Sequence, residues 1–256
     1  MLLAIDIGNT NITFGLFKGK RLLKKLHLPT SGVEVRKNFI QEIKRAFLKC
    51  DIDAIAICSV VPRVERLLVS ILKKLFSTNL FIIGKDIKVP IKNLYKKPGQ
   101  VGQDRLVNTY AGYIFYKTPL IIIDFGTAVT FDLVSKTGAY LGGIIAPGVE
   151  LSLNALSEKA ALLPKIKLTE RLRKAPPIFG KTTAHSMISG TLYGFAAMCD
   201  GLVARLKKRL GFKVDVIATG GNAHLISRFS TCIKKLDEDL TLKGINLIFR
   251  NLNKSA

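Results

Sequence analysis

The sequence is poor in the residues from which metal and disulfide sites are built. It has 256 residues, with four cysteines, three histidines and no tryptophan. No two cysteines have the CxxC spacing of a zinc or redox site, and the histidines stand far apart in the chain. Reduced thiols without a disulfide framework are typical of the cytosol. We therefore expect a cytoplasmic protein without a structural zinc site.

Long apolar runs are also missing. A membrane helix needs about 18 or more consecutive apolar residues, whereas the most apolar stretch, residues 119–134, contains Asp124 and Asp132. The N-terminus has no basic region, and Asp6 interrupts its first apolar run, so the pattern does not indicate a signal peptide. We expect a globular protein that does not cross a membrane.

Acidic residues are scarce, at 18 against 40 lysines and arginines, which gives a net charge of +22. Such an excess attracts polyanions. The basic residues are, however, spread along the chain, and aromatic residues do not alternate with them as in a surface that stacks nucleic-acid bases. We interpret the charge as a solvated surface that could favour anionic substrates. Nucleic acid is not expected as a partner.

The most informative feature that is present is an internal repeat. AIDIGNTNITFGLF (residues 4–17) aligns with IIDFGTAVTFDLV (residues 122–134), with one residue fewer in the turn. Asp6 matches Asp124, and Gly8 matches Gly126. Each copy predicts a strand, a glycine-containing turn and a second strand with alternating apolar residues. The repeat indicates a duplicated domain.

The residues that follow each copy predict the same kind of unit. After the first copy we expect a third strand, a helix over residues 33–48, a strand at DAIAICSV, a helix starting at Pro62 and a strand at LFIIG. After the second copy we expect a third strand at AYLGGIIAPG, a helix over residues 183–210, a strand at VDVIATGG and a final helix.

This order predicts an α/β protein with two mixed sheets. We place the N-terminal domain at residues 1–115, with a helix beginning near Gly102, and the C-terminal domain at residues 116–256. The sequence has no Ser/Gly-rich linker, so we expect the halves to meet in a packed interface with a cleft between them.

The two predicted turns have the chemistry of a phosphate site. Gly8 lets the backbone approach a ligand closely, and amides from Gly8 to Asn11 can point at phosphate oxygens. Asp6 cannot contact a phosphate directly, but it can hold Mg²⁺, directly or through water. One such turn alone would be read as structural; two of them favour phosphate binding. TGGN (residues 219–222), between a strand and a helix, is a weaker third element.

One competing motif is rejected. APPIFGKT (residues 175–182) fits a relaxed P-loop, in which alanine replaces the first glycine. A P-loop must follow a buried strand, and here KLTERLRK precedes it. Two prolines would also remove amide donors from the loop.

Paired Asp-Gly turns with a late TGG turn resemble the actin, Hsp70 and sugar-kinase superfamily, in which two ribonuclease-H-like domains bind ATP. Within it, the chain resembles the type III pantothenate kinases. The matching segments run in family order along nearly the whole chain: DIGNTNITFGLF (6–17), VGQDRLVN (101–108), IDFGTAVTFD (123–132), GGIIAPG (142–148), FGKTTAHSMISGTLYG (179–194) and TGGNA (219–223).

The resemblance implies a role for individual residues. Asp104 matches the general base, Asp124 the position that binds a monovalent cation, and Asp6 the position near Mg²⁺. The implied ATP-contacting residues are Asp6, Ile7, Gly8, Asn9, Thr10, Asn11, Ile12, Thr13 and Thr127. The implied pantothenate-contacting residues are Tyr95, Gly102, Gln103, Asp104, Arg105 and Thr183, with Arg105 as a candidate partner of the pantothenate carboxylate.

Two positions depart from the family pattern. Gln103 stands where alanine is usual, so the pocket beside the base could be reshaped. His185 stands where an acid is common, and it could equally be a surface histidine. Neither change removes a group that the chemistry needs.

The resemblance therefore implies an ATP-dependent kinase that phosphorylates pantothenate to 4'-phosphopantothenate, the first step of coenzyme A biosynthesis. It also implies Mg²⁺, K⁺ or NH₄⁺, and a cytoplasmic homodimer whose pantothenate site is shared between subunits. Two alternatives stay open at this point: a kinase of another small hydroxy acid or sugar, which Gln103 allows, and a non-catalytic regulatory relative.

Overall fold

The computed structural model describes residues 1–33, 37–168 and 176–252. Its strands are β1 (Leu2–Ile7), β2 (Asn11–Lys18), β3 (Arg21–Pro29), β4 (Ala54–Ser59), β5 (Asn79–Ile82), β6 (Leu120–Phe125), β7 (Ala128–Val134), β8 (Tyr140–Pro147), β9 (Asp215–Thr219) and β10 (Lys235–Leu236). Its α-helices are α1 (Lys37–Phe47), α2 (Pro62–Leu75), α3 (Gln103–Tyr116), α4 (Val149–Lys159), α5 (Thr183–Leu210), α6 (Ala223–Ser227) and α7 (Leu240–Leu252).

The strands form two five-stranded mixed sheets of the same topology. The orders are β3-β2-β1-β4-β5 and β10-β9-β6-β7-β8. In each sheet the central strand pairs antiparallel with the second strand of its hairpin and parallel with the strand that follows a helix. The repeat predicted from the sequence is thus confirmed at the level of strand order.

The register of the hairpins also agrees with the aligned repeat. Asp6 lies opposite Thr13 in the first hairpin, and Asp124 lies opposite Thr130 in the second. The residue missing from the second copy therefore belongs to the turn and not to a strand, as the alignment predicted.

The chain divides into two compact units, but the units are not consecutive halves. Unit 1 contains Met1–Tyr116 and the C-terminal segment that begins at Asp239, whereas unit 2 contains Lys117–Glu238. The observed change after Tyr116 lies one residue from the predicted boundary. The C-terminal segment, which was predicted to belong to the second domain, groups with the first.

Apolar packing explains why the last helix belongs to unit 1. Alternation along β1 sends Leu3, Ile5 and Ile7 to the face covered by α1 and α2. Leu2 and Ala4 face the other way, into a cluster with side chains of α3 and α7. In α7, the apolar residues of this cluster are Leu242, Ile245 and Ile248.

Most helices follow local signals. Pro62 occupies the first turn of α2, where its missing amide costs nothing. Thr182 caps α5 by accepting the His185 amide, and Gly211 ends α5 in the left-handed conformation. The predicted helix over residues 33–48 is observed as α1, preceded by a 3₁₀ turn at Thr30–Val33; residues 34–36 lie outside the described residues. Helix α4 and strand β10 were not predicted.

Helix α5 is long and apolar enough to cross a membrane by length and composition alone. A core helix of a soluble protein passes the same test. In unit 2, α5 contributes Leu192, Ala196, Cys199 and Val203 to the cluster that packs on the sheet. We therefore interpret α5 as a core helix.

Candidate active site

The turn after β1 is held in place by one threonine from the 3₁₀ turn that follows β3. The Gly8 amide donates to the Asn11 carbonyl at 3.0 Å. Thr30, which is buried, donates its amide to the Thr10 carbonyl at 2.9 Å and its hydroxyl to the Gly8 carbonyl at 2.7 Å. Because the Gly8 amide is already engaged, the anion contacts predicted for this turn would fall to its exposed residues Asn9, Thr10 and Asn11.

Ile7 and Ile12 flank this turn but contribute differently from the polar residues. They lie opposite each other and are both fully buried in the core beneath the turn. Their side chains therefore anchor the turn, and only their backbone could contact a nucleotide.

Polar side chains cross the first sheet in one row beside the turn. Asp6 on β1 lies opposite Thr13 on β2 and opposite Cys58 on β4. Thr13 in turn lies opposite His27 on β3, and Thr13 Oγ1 is 3.0 Å from His27 Nδ1. We call His27, Thr13, Asp6 and Cys58 the polar row. Its members alternate with Ile5 and Ile7, so the row faces the side of the sheet that α3 and α7 cover.

Asp104 is the second residue of α3, where an acid is stabilised by the helix dipole. Its Oδ1 accepts the Arg105 amide at 2.8 Å. A Cβ at Gly102 would collide with the same Oδ1 atom and would also lie 3.5 Å from Val60 Cγ1. Glycine before the helix therefore leaves room for the carboxylate in this position.

Asp6 and Asp104 both lie close enough to Cys58 for their charges to affect the pKa of its thiol. Burial raises the pKa of the Cys58 thiol well above its ordinary value, and the charges of Asp6, Asp104 and Glu65 raise that pKa further. Three carboxylates thus act on one neutral, buried thiol. Burial also raises the pKa of Asp104, while the amide and the charge of Arg105 offset part of this effect. Asp104 is consequently a stronger base than an exposed aspartate.

Gln103 lies against a glycine of the loop that follows β5. A Cβ at Gly84 would be 2.6 Å from Gln103 Cδ, and Gly84 has a φ of +90°. Gln103 is larger than the usual alanine, and it fits here because Gly84 has no side chain. The neighbouring Lys85 pairs with the buried Glu65 at 2.5 Å, so this loop is tied to α2.

Tyr95 lies in the exposed segment between β5 and α3. Its amide donates to Asn93 Oδ1 at 3.0 Å, and the residue has an exposed fraction of 36%. The residue is accessible, as a wall of a substrate pocket must be. Arg105 is only partly exposed, and its charge acts on Asp104.

The second hairpin turn and the TGGN turn meet in unit 2. Asp124, near the end of β6, lies opposite Thr219 of β9. Gly220 has a φ of +88°, and a Cβ there would collide with Asp124 Oδ1 and lie 2.7 Å from the Phe125 amide nitrogen. The Asn222 amide donates to the Phe125 carbonyl at 3.4 Å. Gly220 therefore allows the TGGN turn to contact the carboxylate of Asp124.

Thr127 is held by the start of α4. The Gly148 amide donates to the Thr127 carbonyl at 3.0 Å, and a Cβ at Gly148 would be 2.6 Å from the Gly126 carbonyl oxygen. Gly148 is thus the residue that lets the loop before α4 close on the second turn.

The segment that resembled a P-loop forms the entrance to α5. Gly180 packs against the first turn of the helix, and Thr182 caps it. Residues 169–175, which lead into it, lie outside the described residues, so its rejection as a nucleotide cradle stays a prediction. Thr183 and His185 are exposed on the first turn of α5.

Thr30, Cys58, Gly148 and His27 had no predicted role, although each contacts a predicted site residue. Alternation along β4 would have placed Cys58 on the same face as Asp6 once the strand pairing was known. No local pattern identifies Thr30 or Gly148, because their partners lie about twenty residues away in the chain.

Comparison with known proteins identifies relatives along the full chain. A family model described as type III pantothenate kinase matches residues 2–205. A type III pantothenate kinase of Myxococcus xanthus is 39% identical over 254 residues, covering 97% of this chain and 98% of the relative. One of Geotalea daltonii is 39% identical over 260 residues and covers 100% of both.

Solved structures support the fold. The activator of 2-hydroxyisocaproyl-CoA dehydratase from Clostridium difficile, solved with bound ADPNP, has a TM-score of 0.51 at 13% identity and covers 99% of this chain and 96% of its own. The ethanolamine utilization protein EutJ from Carboxydothermus hydrogenoformans has a TM-score of 0.56 at 13% identity, covering 96% and 89%. The two units are ribonuclease-H-like domains of the actin-like ATPase fold, as expected.

Proposed function

The chain belongs to the type III pantothenate kinase family, and we propose that it transfers the terminal phosphoryl group of ATP to the hydroxyl of pantothenate. The product is 4'-phosphopantothenate, and the reaction is the first step of coenzyme A biosynthesis. The observation that carries the proposal is the arrangement in unit 1. There Asp6 lies opposite Cys58 on the neighbouring strand, the charges of Asp6 and Asp104 both raise the pKa of the Cys58 thiol, and Asn9, Thr10 and Asn11 of the adjacent turn are exposed.

Phosphoryl transfer depends mainly on positioning and on neutralising charge. Asp104 would accept the proton of the pantothenate hydroxyl as the bond to phosphorus forms, and its raised pKa suits this role. Asn9, Thr10 and Asn11 would contact the phosphates, and Thr127 is a further proposed nucleotide contact. Tyr95, Gly102, Gln103, Arg105 and Thr183 are the proposed pantothenate contacts.

A magnesium ion fits Asp6. Magnesium bound to nucleotides usually takes only one or two carboxylates and fills its other positions with phosphate oxygens and water. In keeping with this, the part of the chain that the structure describes holds no group of three His, Cys, Asp or Glu that could bind a metal by itself. Asp6 would hold the ion, directly or through water, and the ion would neutralise phosphate charge.

Asp124 is the proposed ligand of a monovalent cation, and Gly220, which has no side chain, packs closely against its Oδ1 atom. We expect turnover to fall several-fold when K⁺ or NH₄⁺ is replaced by Na⁺ at constant ionic strength. The rate of ADP release measures this, and the variant Asp124→Asn is the control, since it should respond little to the exchange. Equal wild-type rates in K⁺ and Na⁺ would contradict the cation site.

The activity itself is tested by ADP release from ATP and Mg²⁺ in the presence of K⁺. Pantothenate should stimulate release, whereas a panel of other hydroxy acids and sugars should not. Stimulation by another compound alone would move the assignment to a different small-molecule kinase. No stimulation by any of them would indicate a non-catalytic relative.

We also propose that the protein is a cytoplasmic homodimer. Large apolar side chains are exposed in unit 2 on β8, on α4 and in the segment before α5. Ile178 and Phe179 have exposed fractions of 66% and 67%, well above those of ordinary apolar residues. They precede Thr183, a proposed pantothenate contact, by five and four residues, so we propose that a second copy covering them would lie beside the substrate site.

Replacing both Ile178 and Phe179 by serine is expected to convert the dimer to a monomer and to raise the KM for pantothenate. Light scattering after size exclusion measures the mass, and steady-state kinetics measure KM. Leu48→Ser, which changes an exposed apolar residue of unit 1, is the matched control. A wild-type mass of one chain, or a double variant that stays dimeric, would contradict this interface.

A further inference from the structure

The polar row ends in a histidine that the reaction as described does not use. His27 lies on β3, the edge strand of the first sheet, and its Nδ1 is 3.0 Å from Thr13 Oγ1. Thr13 is also the cross-strand neighbour of Asp6. Facing pairs of this kind have Cβ atoms about 4.5–5.5 Å apart. One hydroxyl therefore stands between an imidazole and the carboxylate proposed to hold magnesium.

The second sheet shows that this arrangement is specific to unit 1. Thr130, the counterpart of Thr13, donates its hydroxyl to Asp132 Oδ2 at 3.0 Å. The residue opposite Thr130 on β8 is Ile145, which cannot form a hydrogen bond through its side chain. In the first hairpin the position two residues after Thr13 is Gly15, so Thr13 has no such carboxylate on its own strand. His27 takes its place as the hydrogen-bond partner.

A threonine hydroxyl has one proton, so its direction depends on the partner. If Nδ1 of a neutral His27 carries no proton, Thr13 donates to His27 and turns its lone pairs towards its other neighbours. If Nδ1 carries a proton, His27 donates to Thr13, and the Thr13 hydroxyl is free to donate to Asp6. In the second state the Thr13 hydroxyl competes with a cation for the Asp6 carboxylate.

We propose that His27 is a positioning residue for nucleotide binding, because it accepts the Thr13 hydroxyl proton and so keeps Thr13 from donating to the Asp6 carboxylate that is proposed to hold magnesium. The inference rests on the proposed function, since Asp6 is the proposed magnesium residue. It adds a residue on the edge strand that acts through Thr13 without contacting the substrate.

The surroundings of His27 favour the neutral ring. His27 is exposed at the edge of the sheet, but partial desolvation and the charge of Lys25 lower its pKa, and Asp239 offsets part of this effect. Lys25 is itself paired with Asp239 at 2.8 Å. At neutral pH the imidazole is therefore uncharged and able to accept. In acid the protonated ring must donate to Thr13, so ATP affinity should fall as the pH is lowered through the pKa of His27.

The decisive variants are His27→Leu, which removes the hydrogen bond, and His27→Asn, which keeps a hydrogen-bonding atom at the δ position but does not titrate. Affinity for ATP with Mg²⁺ is measured by calorimetry without pantothenate. His27→Leu should raise the Kd about three- to tenfold, the range for a lost hydrogen bond. His27→Asn should bind within about twofold of wild type at neutral pH and should lose the decrease in acid.

Thr13→Val closes a double-variant cycle with His27→Leu. Because His27 acts through Thr13, the double variant should bind ATP no more weakly than Thr13→Val alone. Leu23→Asn, an exposed change on the same strand, is the control and should bind as wild type does. Additive effects of the two changes, or an unchanged Kd in His27→Leu, would overturn the proposal.

Nitrogen-15 NMR of the imidazoles tests the hydrogen bond without any ligand. The chain has three histidines, so single replacements of His185 and His224 assign the signals. Thr13→Val should shift the tautomer ratio of His27, and an unchanged ratio would count against the contact. Wild-type protein that binds ATP but shows no pantothenate-dependent ADP release would refute the proposed function. The effect of His27 on ATP affinity could still be measured by calorimetry in that case.

Discussion

Asp104→Asn is expected to lower kcat by about 10²- to 10⁴-fold, the range typical of a lost general base, while ATP still binds. Asparagine keeps an oxygen that can accept the Arg105 amide at the start of α3, where Asp104 Oδ1 now accepts it. The fold of the site should therefore be retained, and only the capacity to accept a proton should be lost.

The pH dependence separates this role from a structural one. Burial raises the pKa of Asp104, so the folded state favours the protonated form more than the unfolded chain does. Ionised Asp104 consequently costs stability above that pKa, and the cost disappears as the pH falls through it. Asp104→Asn should thus be at least as stable as wild type at neutral pH. If Asp104 instead formed an ion pair with Arg105 that the fold requires, Asp104→Asn would be less stable than wild type at neutral pH.

Wild-type activity should decline as the pH is lowered through the raised pKa of Asp104, because a protonated carboxyl cannot accept the hydroxyl proton. Steady-state kinetics across pH, calorimetry with ATP and chemical denaturation together measure these quantities. Asp51→Asn, a change at an exposed residue, serves as the control. Retention of full turnover in Asp104→Asn would refute the base assignment.

The second large effect is expected at Gly220. Alanine there must adopt a φ of +88° and place its Cβ against Asp124 Oδ1 and 2.7 Å from the Phe125 amide nitrogen. Backbone strain of this kind costs about 1–3 kcal/mol, and relieving the collision would displace Asp124. We expect Gly220→Ala to lower the free energy of unfolding by about 2–4 kcal/mol and to lower kcat/KM for pantothenate strongly.

The adjacent glycine provides a matched control. A Cβ at Gly221 would meet no atom within 4 Å, and Gly221 is exposed. Gly221→Ala should therefore change stability by less than about 1 kcal/mol. Denaturation of both variants checks the difference. If Gly220→Ala and Gly221→Ala lost similar amounts of unfolding free energy, the close approach of Gly220 to Asp124 would not explain the effect.

The sequence alone predicted those parts of the fold that depend on neighbours in the chain. Apolar alternation around a glycine turn predicted both hairpins, and the shorter turn of the second copy is observed as the alignment predicted. The helix predicted from about residue 183 to residue 210 is observed as α5, and the structure shows that Thr182 caps its start and Gly211 ends it. Strand β10 was missed because two residues are too short to show a period.

The candidate site depended on both kinds of information. From the sequence, the repeated Asp-Gly turns made Asp6 and Asp124 candidates for a phosphate site, whereas the role of Asp104 as a base came only from the resemblance to the family. Only the tertiary structure decided that Asp6 and Asp104 act on the same thiol, that Gln103 lies on Gly84, and that α7 returns to unit 1.

The physical reason is the range of the interactions. Turns, caps and alternation are set by backbone geometry within a few residues, so they leave a pattern that can be read along the chain. The contacts of Thr30 with the turn and of His27 with Thr13 join residues 14 to 22 positions apart. Such contacts depend on strand order and on which face each strand turns to the helices, and these are decided only when the sheets pack.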